Sequence, residues 1–359
     1  MNILYISNLS GNLWAGPNNS VPAQIMAQSK IDNVFWYNVN KKVIPEWKDI
    51  YHNLIDYPNQ RLDDLPEPFN NPDIAVIEEV YCHAFSKIIS DLQCNNIPYI
   101  VIPRSTLTER AQKHKQLKKI IGNLLYFNNM LKQAVAIQYL TEQEYRESGD
   151  KWNKNHFIIP NGISIKDTYI ERENDNKIIL TYIGRIEIYQ KGLDLLVEAI
   201  SEVQDFLREH NCVINIYGPD REDTVKKLTD VVNTKGIEDL VLFHRAVFGK
   251  DKEKILINSD IFIMTSRFEG HPMGLIEALS YGLPCIVTPG TNMAKEIDKH
   301  DAGWVAQEKV RDVVEQIKRS IHEKRLWKIK RSNAKSLARE FSWERLALKS
   351  HEYFEVVRR

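Results

Sequence analysis

The sequence lacks the features that mark several large classes of protein. Its 359 residues carry 48 Lys plus Arg and 48 Asp plus Glu, so the formal net charge is zero and global charge gives no argument for nucleic-acid binding. Because no long uncharged apolar run is present, no transmembrane helix is predicted. The first seven residues have neither a basic start nor a cleavage site, and they are predicted to form a β-strand rather than a signal peptide.

Cysteine is scarce and scattered. The four cysteines form no CxxC pair and have no histidine at metal-ligand spacing, so they are predicted to be reduced thiols of a cytosolic protein. The one acidic pair with a superficial likeness to a metal motif, Asp63-Asp64, lies in a loop flanked by proline. No metal site is therefore predicted.

Two phosphate-binding motifs are also missing, since neither GxGxxG nor GxxxxGK[ST] follows a predicted first strand, which argues against a nicotinamide enzyme or a P-loop NTPase. Short apolar runs instead alternate with helical stretches along the whole chain. Strands are predicted at residues 3–7, 33–37, 74–77, 99–102, 134–139, 157–159, 177–183, 213–217, 240–244, 261–264 and 284–288. This rhythm indicates an α/β protein with two doubly wound, Rossmann-like domains.

The polar stretch at residues 164–177 has no apolar period and is predicted to be the linker between these domains. We therefore expect domains at residues 1–165 and 166–340. Residues 341–359 have the pattern of an amphipathic closing helix that packs back on the first domain. Ligands of such sheets bind outside the carboxyl ends of the strands, so the crevice between two facing domains is the expected site.

The most informative segment contains two glutamates, Glu269 and Glu277, on either side of a turn rich in glycine and proline. An apolar strand precedes the segment, and helical spacing begins near Met273 or Gly274. A strand–loop–helix unit of this kind aims backbone N–H groups and the positive end of a helix at a ligand. Both carboxylates can then face one ligand that carries hydroxyls as well as negative charge, such as a nucleotide sugar.

A second segment runs from Gly184, at the end of a predicted strand, to Gly192, where a helix is expected to start. Its two cations, Arg185 and Lys191, suit a diphosphate, because arginine offers a planar fork of donors and lysine a compact charge. A charge-assisted hydrogen bond contributes roughly 1.5–3 kcal/mol, which exceeds most helix-dipole contributions of about 0.3–2 kcal/mol. Taken alone, the segment could equally be a loop with two solvated cations.

Together the pattern Glu269-x7-Glu277 and the upstream Arg185-x5-Lys191-Gly192 resemble the retaining glycosyltransferases of family 4. Further pieces agree with that family: the sequences Pro-Asn-Gly at 160–162, Gly-Leu-Pro at 282–284 and Phe-Ser-Trp at 341–343. The resemblance covers nearly the whole chain and is most specific at residues 160–289. It implies the GT-B fold, in which two Rossmann-like domains face each other across a cleft. The first domain would bind the acceptor and the second the nucleotide sugar.

The resemblance also implies roles for individual residues. Arg185 and Lys191 would stabilise the leaving diphosphate, Glu269 would hold the transferred sugar, and Glu277 would accept hydrogen bonds from the ribose hydroxyls. Because Pro272 has no N–H, the loop's donors to the sugar would be His271, Met273 and Gly274. Donor-binding positions implied in this way are Gly16, Gly184, Ala246, Val247, Gly270, His271, Met273, Gly274, Leu275 and Glu277.

The chain departs from the family pattern at Arg104, where such enzymes often carry a histidine. A permanently charged arginine cannot share a proton there, so Arg104 is interpreted as an anion or sugar contact on the acceptor side. Glu79 and His83 follow a predicted strand and are further acceptor candidates. Arg245 stands where a glycine is common, which weakens the implied contact of residues 243–247 with the base.

Residues 109–132 combine six basic residues with interleaved apolar ones. The segment is predicted to be a basic amphipathic helix. It either packs on its own domain with a solvated basic face or docks on an anionic membrane surface, and the two interpretations are compatible.

The resemblance implies a same-face, oxocarbenium-like transfer in which the leaving phosphate takes the acceptor proton, with no essential divalent ion or other cofactor. The expected function is transfer of a hexose or N-acetylhexosamine from a UDP-sugar to a glycan acceptor on a polyprenyl-diphosphate-linked polysaccharide precursor. The expected location is the cytoplasm, including the inner face of the plasma membrane. Two alternatives stay open: a UDP-sugar 2-epimerase and a non-catalytic nucleotide-sugar-binding subunit.

Overall fold

The computed structural model describes residues 1–12, 16–113, 115–165, 177–220 and 223–358, so most of the expected linker at residues 164–177 lies outside the described residues. The chain divides into two compact units. The first comprises Met1–Gly162 together with Trp343–Arg359, and the second comprises Ile163–Ser342. From the sequence, the divisions were expected after residues 165 and 340.

The first unit is built on a parallel sheet of seven strands in the order β3-β2-β1-β4-β5-β6-β7. The strands are β1 (Asn2–Ser7), β2 (Asn33–Asn38), β3 (His52–Asn53), β4 (Ile74–Glu78), β5 (Tyr99–Ile102), β6 (Ala136–Tyr139) and β7 (His156–Ile158). The helices between them are α1 (Pro17–Gln28), α2 (Lys87–Cys94), α3 (Glu109–Lys113), α4 (Gln116–Gly122), α5 (Asn128–Gln133) and α6 (Glu142–Ser148). A π-helical turn at Asn123–Phe127 joins α4 to α5.

The second unit has a parallel sheet of six strands in the order β10-β9-β8-β11-β12-β13. They are β8 (Ile178–Ile183), β9 (Cys212–Tyr217), β10 (Val241–His244), β11 (Ile261–Met264), β12 (Cys285–Val287) and β13 (Gly303–Val305). The helices are α7 (Leu193–Glu202), α8 (Gln204–Glu209), α9 (Thr224–Thr234), α10 (Gly249–Ile257), α11 (Met273–Ser280), α12 (Ala294–Lys299), α13 (Val310–His322) and α14 (Trp327–Glu340). All four residues of β11 are buried, as expected for a parallel strand covered on both faces.

The expected fold class is confirmed, because each unit is a doubly wound, Rossmann-like sheet and the strand order reverses beside its first strand. All eleven predicted strands are present, with bounds that differ by at most two residues. The sequence missed β3 and β13, which are two and three residues long. In β13 an added Cβ on Gly303 would lie 1.9 Å from the Cys285 carbonyl oxygen, so the position requires glycine. Glycine has a low strand propensity, and the sequence therefore gives no sign of a strand there.

The last helix, α15 (Trp343–Val357), belongs to the first unit, although the whole second unit separates it from that unit in sequence. It packs against α1 and buries Trp343, Leu346, Ala347, Ser350 and Phe354. The ring of Trp343 lies so close to Gly162 that a Cβ there would be 2.4 Å from the indole. The two points at which the chain leaves and re-enters the first unit are therefore in direct contact.

Candidate active site

The candidate site of the second unit lies where β8 and β11 end side by side. These strands are neighbours in the middle of the sheet, and the chain leaves them toward opposite sides, which is the position where α/β sheets bind ligands. Two loops follow them, residues 184–192 after β8 and residues 265–272 after β11. All four residues that the sequence singled out for sugar and phosphate chemistry lie in these loops or in the helix α11 that follows.

The loop after β8 is shaped by a single carboxylate. Glu187 accepts hydrogen bonds from three backbone N–H groups, those of Tyr189 at 3.3 Å, Gln190 at 2.5 Å and Lys191 at 3.3 Å. The loop then turns at Gly192, which has φ +62° and leads directly into α7. A Cβ on Gly192 would lie 2.0 Å from the Thr265 carbonyl oxygen, so only glycine permits the two loops to approach this closely.

Lys191 and Glu269 form an ion pair between the two loops. Lys191 Nζ lies 2.5 Å from Glu269 Oε1, and the two side chains are 9% and 8% exposed. The Ser266 hydroxyl donates to the same carboxylate oxygen at 2.7 Å. Two residues that lie 78 positions apart in the sequence therefore form an ion pair in which both side chains are largely shielded from water.

The loop after β11 is fixed by contacts on both sides of Glu269. Arg267 donates from Nη1 and Nη2 to the two carboxylate oxygens of Asp194 at 2.7 and 2.9 Å. The Asn292 amide donates to the Glu269 carbonyl oxygen at 2.6 Å. Bidentate pairing of arginine with a carboxylate adds geometric specificity, so the loop has a defined conformation before any ligand binds.

Helix α11 begins close to the central strand. A Cβ on Gly274 would lie 2.6 Å from the Ile183 carbonyl oxygen, so glycine lets the first turn of the helix pack directly on the end of β8. One of the donors expected for the sugar, the Met273 N–H, is already used within this turn. The Met273 N–H donates to the His271 carbonyl oxygen at 3.0 Å, and the Leu275 N–H donates to that of Pro272 at 2.9 Å. The expectation of a free N–H donor at Met273 is therefore corrected, whereas the implied place of Leu275 in the donor site stays a prediction.

Glu277 lies one turn further along α11 and has a partner that the sequence did not suggest. Lys252 of α10 donates to both of its oxygens, with distances of 2.6 Å to Oε1 and 2.7 Å to Oε2. The two side chains are 24% and 23% exposed. No sequence signal marks Lys252, because it is one of three lysines in the short, charged stretch that forms α10.

Arg185 lies on the surface of the same loop as Lys191. Its side chain is exposed, and Nη2 makes a long hydrogen bond of 3.4 Å to Gln190 Oε1. Gly184 precedes it, and a Cβ there would be 2.6 Å from the Tyr182 hydroxyl. The described contacts thus leave the guanidinium of Arg185 at the loop surface, whereas the ammonium of Lys191 is buried against Glu269.

His271 occupies an unusual environment. Both ring nitrogens are inaccessible to solvent and make no hydrogen bond, although part of the residue's surface remains accessible. Desolvation by burial lowers the pKa of His271 to about 4, so the ring is neutral at physiological pH. Its centroid lies 6.1 Å from that of Phe341.

The implied base-contact segment follows β10, two strands away from β8. Ala246 and Val247 are half-buried and Arg245 is exposed. Just before them, the ring of His244 stacks on Tyr217 with centroids 4.4 Å apart. Sequence reasoning gave no role to Tyr217, because a tyrosine at a strand end carries no motif of its own.

In the first unit, the side chain of the acceptor candidate Arg104 is the centre of a hydrogen-bond network. Its backbone has a positive φ of +49°. Its guanidinium donates to Glu78 Oε2 at 2.7 Å, Ser20 Oγ at 3.0 Å, Asn161 Oδ1 at 2.9 Å and Gln24 Oε1 at 2.9 Å. The Arg104 side chain is 4% exposed and that of Glu78 is fully buried. These contacts engage the Arg104 guanidinium within the first unit, and its interpretation as an anion or sugar contact stays a prediction.

The other first-unit candidates differ in accessibility. His83 is buried, its Nε2 lies 2.9 Å from the Glu78 carbonyl oxygen, and burial lowers its pKa to about 4; its contact with an acceptor stays a prediction. Glu79 is half-buried with φ +65°, and burial followed by the charge of Glu78 raises its pKa. Gly16 caps the start of α1, and the space around its Cβ direction is open.

Two properties of the described part of the chain bear on cofactors and membranes. In it, no group of three or more His, Cys, Asp or Glu side chains is arranged to hold a metal ion. None of the helices in the same ranges has the length and apolar character that crossing a bilayer requires.

Comparison with known families identifies the second unit. Residues 165–341 match the family model described as glycosyl transferases group 1. The matched segment, the group 1 domain, makes up just under half of the chain. Its boundaries coincide closely with Ile163–Ser342, and it contains both loops and α11.

Relatives of the group 1 domain occur in bacteria and archaea. The chain is 31% identical over 134 residues to a lipopolysaccharide 1,6-galactosyltransferase of Salmonella typhimurium, covering 36% of this chain and 35% of the relative. It is 25% identical over 188 residues to an uncharacterized glycosyltransferase of Methanocaldococcus jannaschii, covering 52% of this chain and 46% of that protein. The chain therefore spans less than half the length of these curated relatives.

Solved structures extend the similarity in fold to both units. The crystal structure of HepE from Anabaena in complex with UDP and glucose has a TM-score of 0.68 and 14% identity. It covers 99% of this chain and all of the HepE chain. The group 1 domain and its companion unit together have the GT-B fold.

Proposed function

We propose that the protein is a retaining glycosyltransferase that moves a hexose or N-acetylhexosamine from a UDP-sugar to a glycan acceptor. The observation that carries the proposal is the buried contact between Lys191 and Glu269 at the carboxyl ends of β8 and β11, within a group 1 domain. A cation for a leaving diphosphate and a carboxylate for sugar hydroxyls are held side by side. The relative that acts on lipopolysaccharide and the neighbour crystallised with UDP and glucose support the choice of a hexose, of UDP and of a polysaccharide acceptor.

The proposed reaction breaks the bond between the anomeric carbon and the diphosphate oxygen. The acceptor oxygen forms its new bond on the same face, and the acceptor's proton passes to the departing phosphate oxygen. Lys191 and Arg185 stabilise the negative charge that develops on the diphosphate, and Glu269 holds the sugar in place. Positioning and charge stabilisation of this kind supply the rate enhancement without a protein nucleophile.

Turnover assays test this function directly. The full chain is incubated with UDP-glucose, UDP-galactose or UDP-N-acetylglucosamine, with and without a glycan acceptor, while UDP release and the anomeric configuration of the product are followed. We expect acceptor-dependent UDP release with retention, and a loss of about 100-fold or more in kcat for Lys191→Met. The matched control is Lys250→Met, which removes an exposed lysine from α10 and should leave turnover unchanged. Inversion of configuration, or epimerisation of the donor in the absence of acceptor, would contradict the proposal.

A divalent ion is not part of the proposed mechanism, because the two cations neutralise the diphosphate. Turnover should therefore persist after treatment with EDTA. A complete loss that Mn²⁺ or Mg²⁺ restores would refute this part of the proposal.

We also propose that the first unit docks on an anionic bilayer, where a polyprenyl-diphosphate-linked acceptor would be found. The docking surface is defined by five apolar side chains of α4 and the π-helical turn, which are 54–79% exposed: Leu117, Ile120, Ile121, Leu124 and Leu125. Lys113, Lys115 and Lys118 lie exposed in the same segment. Lys119 is engaged internally, since it donates to the Ala111 carbonyl oxygen at 2.6 Å.

The three exposed lysines favour an anionic bilayer over a neutral partner. A lysine near an anionic surface contributes about 1 kcal/mol, so three exposed lysines contribute on the order of 3 kcal/mol before any apolar insertion. The exposed leucines and isoleucines then enter the interface between headgroups and acyl chains.

Vesicle co-sedimentation tests the docking surface. The protein should bind vesicles that contain phosphatidylglycerol at low salt, bind them less at high salt, and lose binding in the double variant Leu117→Gln/Leu124→Gln. The matched control, Leu348→Gln/Val356→Gln, changes two exposed apolar residues of α15 and should bind as the unchanged protein does. Binding to neutral vesicles alone, or none at low salt, would remove the membrane from the proposal.

A further inference from the structure

Lys252 of α10 contacts Glu277, the residue expected to accept hydrogen bonds from the ribose hydroxyls. No role was predicted from the sequence for helix α10 itself. Lys252 lies in the first turn of α10, and Glu277 lies in the second turn of α11. The ammonium group donates to both carboxylate oxygens, at 2.6 and 2.7 Å. Both side chains are about three-quarters shielded from solvent, so the carboxylate is held in one orientation rather than rotating freely in water.

The contact leaves capacity for a ligand. An ionised carboxylate has about four acceptor positions, of which the ammonium occupies two, and a lysine has three N–H donors, of which the carboxylate uses two. Each oxygen of Glu277 therefore retains an acceptor position for a hydroxyl group. Two oxygens fixed in one plane match two neighbouring hydroxyls, which is the arrangement that a ribose 2′,3′-diol presents.

Helix α11 does not depend on this ion pair for its position. Leu275, Ile276, Ala278 and Leu279 are fully buried, and Gly274 packs the first turn against β8. The packing already fixes the helix axis. What packing leaves free is the rotation of the Glu277 side chain, and that rotation is what Lys252 restricts.

We propose that Lys252 is a positioning residue that orients the Glu277 carboxylate toward the ribose diol of the donor nucleotide. This inference rests on the proposed function. It adds a residue from α10 to a binding region otherwise formed by the two loops and α11. Lys252 acts through Glu277 and does not need to touch the nucleotide itself.

Nucleotide binding separates this role from a purely structural one. Calorimetry compares UDP with 2′-deoxy-UDP on the full chain, and turnover compares the corresponding sugar donors. One hydrogen bond to a charged group corresponds to roughly 10- to 150-fold, so the unchanged protein should bind UDP at least about 10-fold more tightly than 2′-deoxy-UDP. In Lys252→Gln the preference should fall to about twofold, KM should rise about 10-fold, and kcat should change by less than about threefold. Lys252→Arg should restore part of the preference.

The control is Lys250→Gln, which makes the same change in charge two residues earlier on the same helix. This variant should keep the full preference for UDP over 2′-deoxy-UDP. Thermal unfolding of Lys252→Gln should match that of the control, which establishes that α11 remains in place. If Lys252→Gln keeps the full preference for UDP, the inference is overturned. If UDP binds with the expected preference but no donor is turned over, the proposed function fails while the role of Lys252 stands; if UDP does not bind, the inference fails as well.

Discussion

The buried ion pair between Lys191 and Glu269 makes a prediction that separates stability from catalysis. Removing one member leaves the other as an unpaired charge, because both side chains are more than nine-tenths shielded. Breaking a buried pair in this way costs about 3–5 kcal/mol. Lys191→Met and Glu269→Gln should therefore each destabilise the second unit by that amount. For a unit of this size the change corresponds to a fall of roughly 6–20 °C in its midpoint of thermal unfolding.

The double variant Lys191→Met/Glu269→Gln should recover most of that stability. Methionine fills the space of the lysine stem, and glutamine keeps an oxygen that can accept the Ser266 hydroxyl, so no charge remains buried. The double variant should be less destabilised than either single variant, which corresponds to a coupling free energy of at least about 3 kcal/mol in a double-mutant cycle with urea unfolding at pH 7.5. Turnover should stay lost in all three variants, because the chemistry needs both charges.

Arg208→Gln provides the control for this cycle. Arg208 pairs with Asp239 at 2.9 Å, but the two side chains are 38% and 54% exposed, and its loss should shift unfolding far less than either single variant. Additive losses in the double variant would show that the two charges are not coupled and would refute the reasoning. So would full turnover in the stabilised double variant.

Two further predictions concern the same unit. Gly192→Ala should lower the free energy of unfolding by several kcal/mol and impair turnover, because φ is +62° and the new Cβ would meet the Thr265 carbonyl oxygen at 2.0 Å; unfolding curves would check this, and a neutral effect would contradict it. His271 has a folded-state pKa of about 4 against an ordinary value of 6.5, so the contribution of its neutral ring to stability is fully present above pH 6.5 and is lost as pH falls toward 4. At pH 5.5 the loss attributable to this residue is on the order of 1 kcal/mol, and His271→Phe should flatten the pH dependence of unfolding by a similar amount, whereas an unchanged profile would disprove the assignment.

Much of the fold could be predicted from the sequence because parallel strands covered on both faces are short apolar runs, and such runs are visible without any structure. β11, with its sequence Ile-Phe-Ile-Met, is the clearest case, and its predicted and observed bounds are identical. β13 was missed because a three-residue strand that begins with Gly303 has neither length nor propensity. Its strand conformation depends on pairing with β12, which is a long-range contact.

The site divides in the same way. The positions of Glu269 and Glu277 beside a strand and a helix follow from local pattern, so the loop and the start of α11 could be located in advance. The residues that pair with these glutamates could not be predicted, because an ion pair such as that of Lys252 with Glu277 depends on which helices pack together. Accessibility was the least predictable property: Arg104 and His83 are polar residues near strand ends, yet the structure places both inside the first unit.

The contact between Gly162 and Trp343 has a consequence for the order in which the protein is built. The first unit lacks α15 until the ribosome has translated all of the second unit, so its core beside α1 stays incomplete until then. Leu346 and Phe354, which belong to that core, follow the whole second unit in the sequence. The nascent chain must therefore tolerate an open apolar face on its amino-terminal half, and a fragment that ends at Gly162 should aggregate or recruit chaperones unless α15 is supplied as a separate peptide.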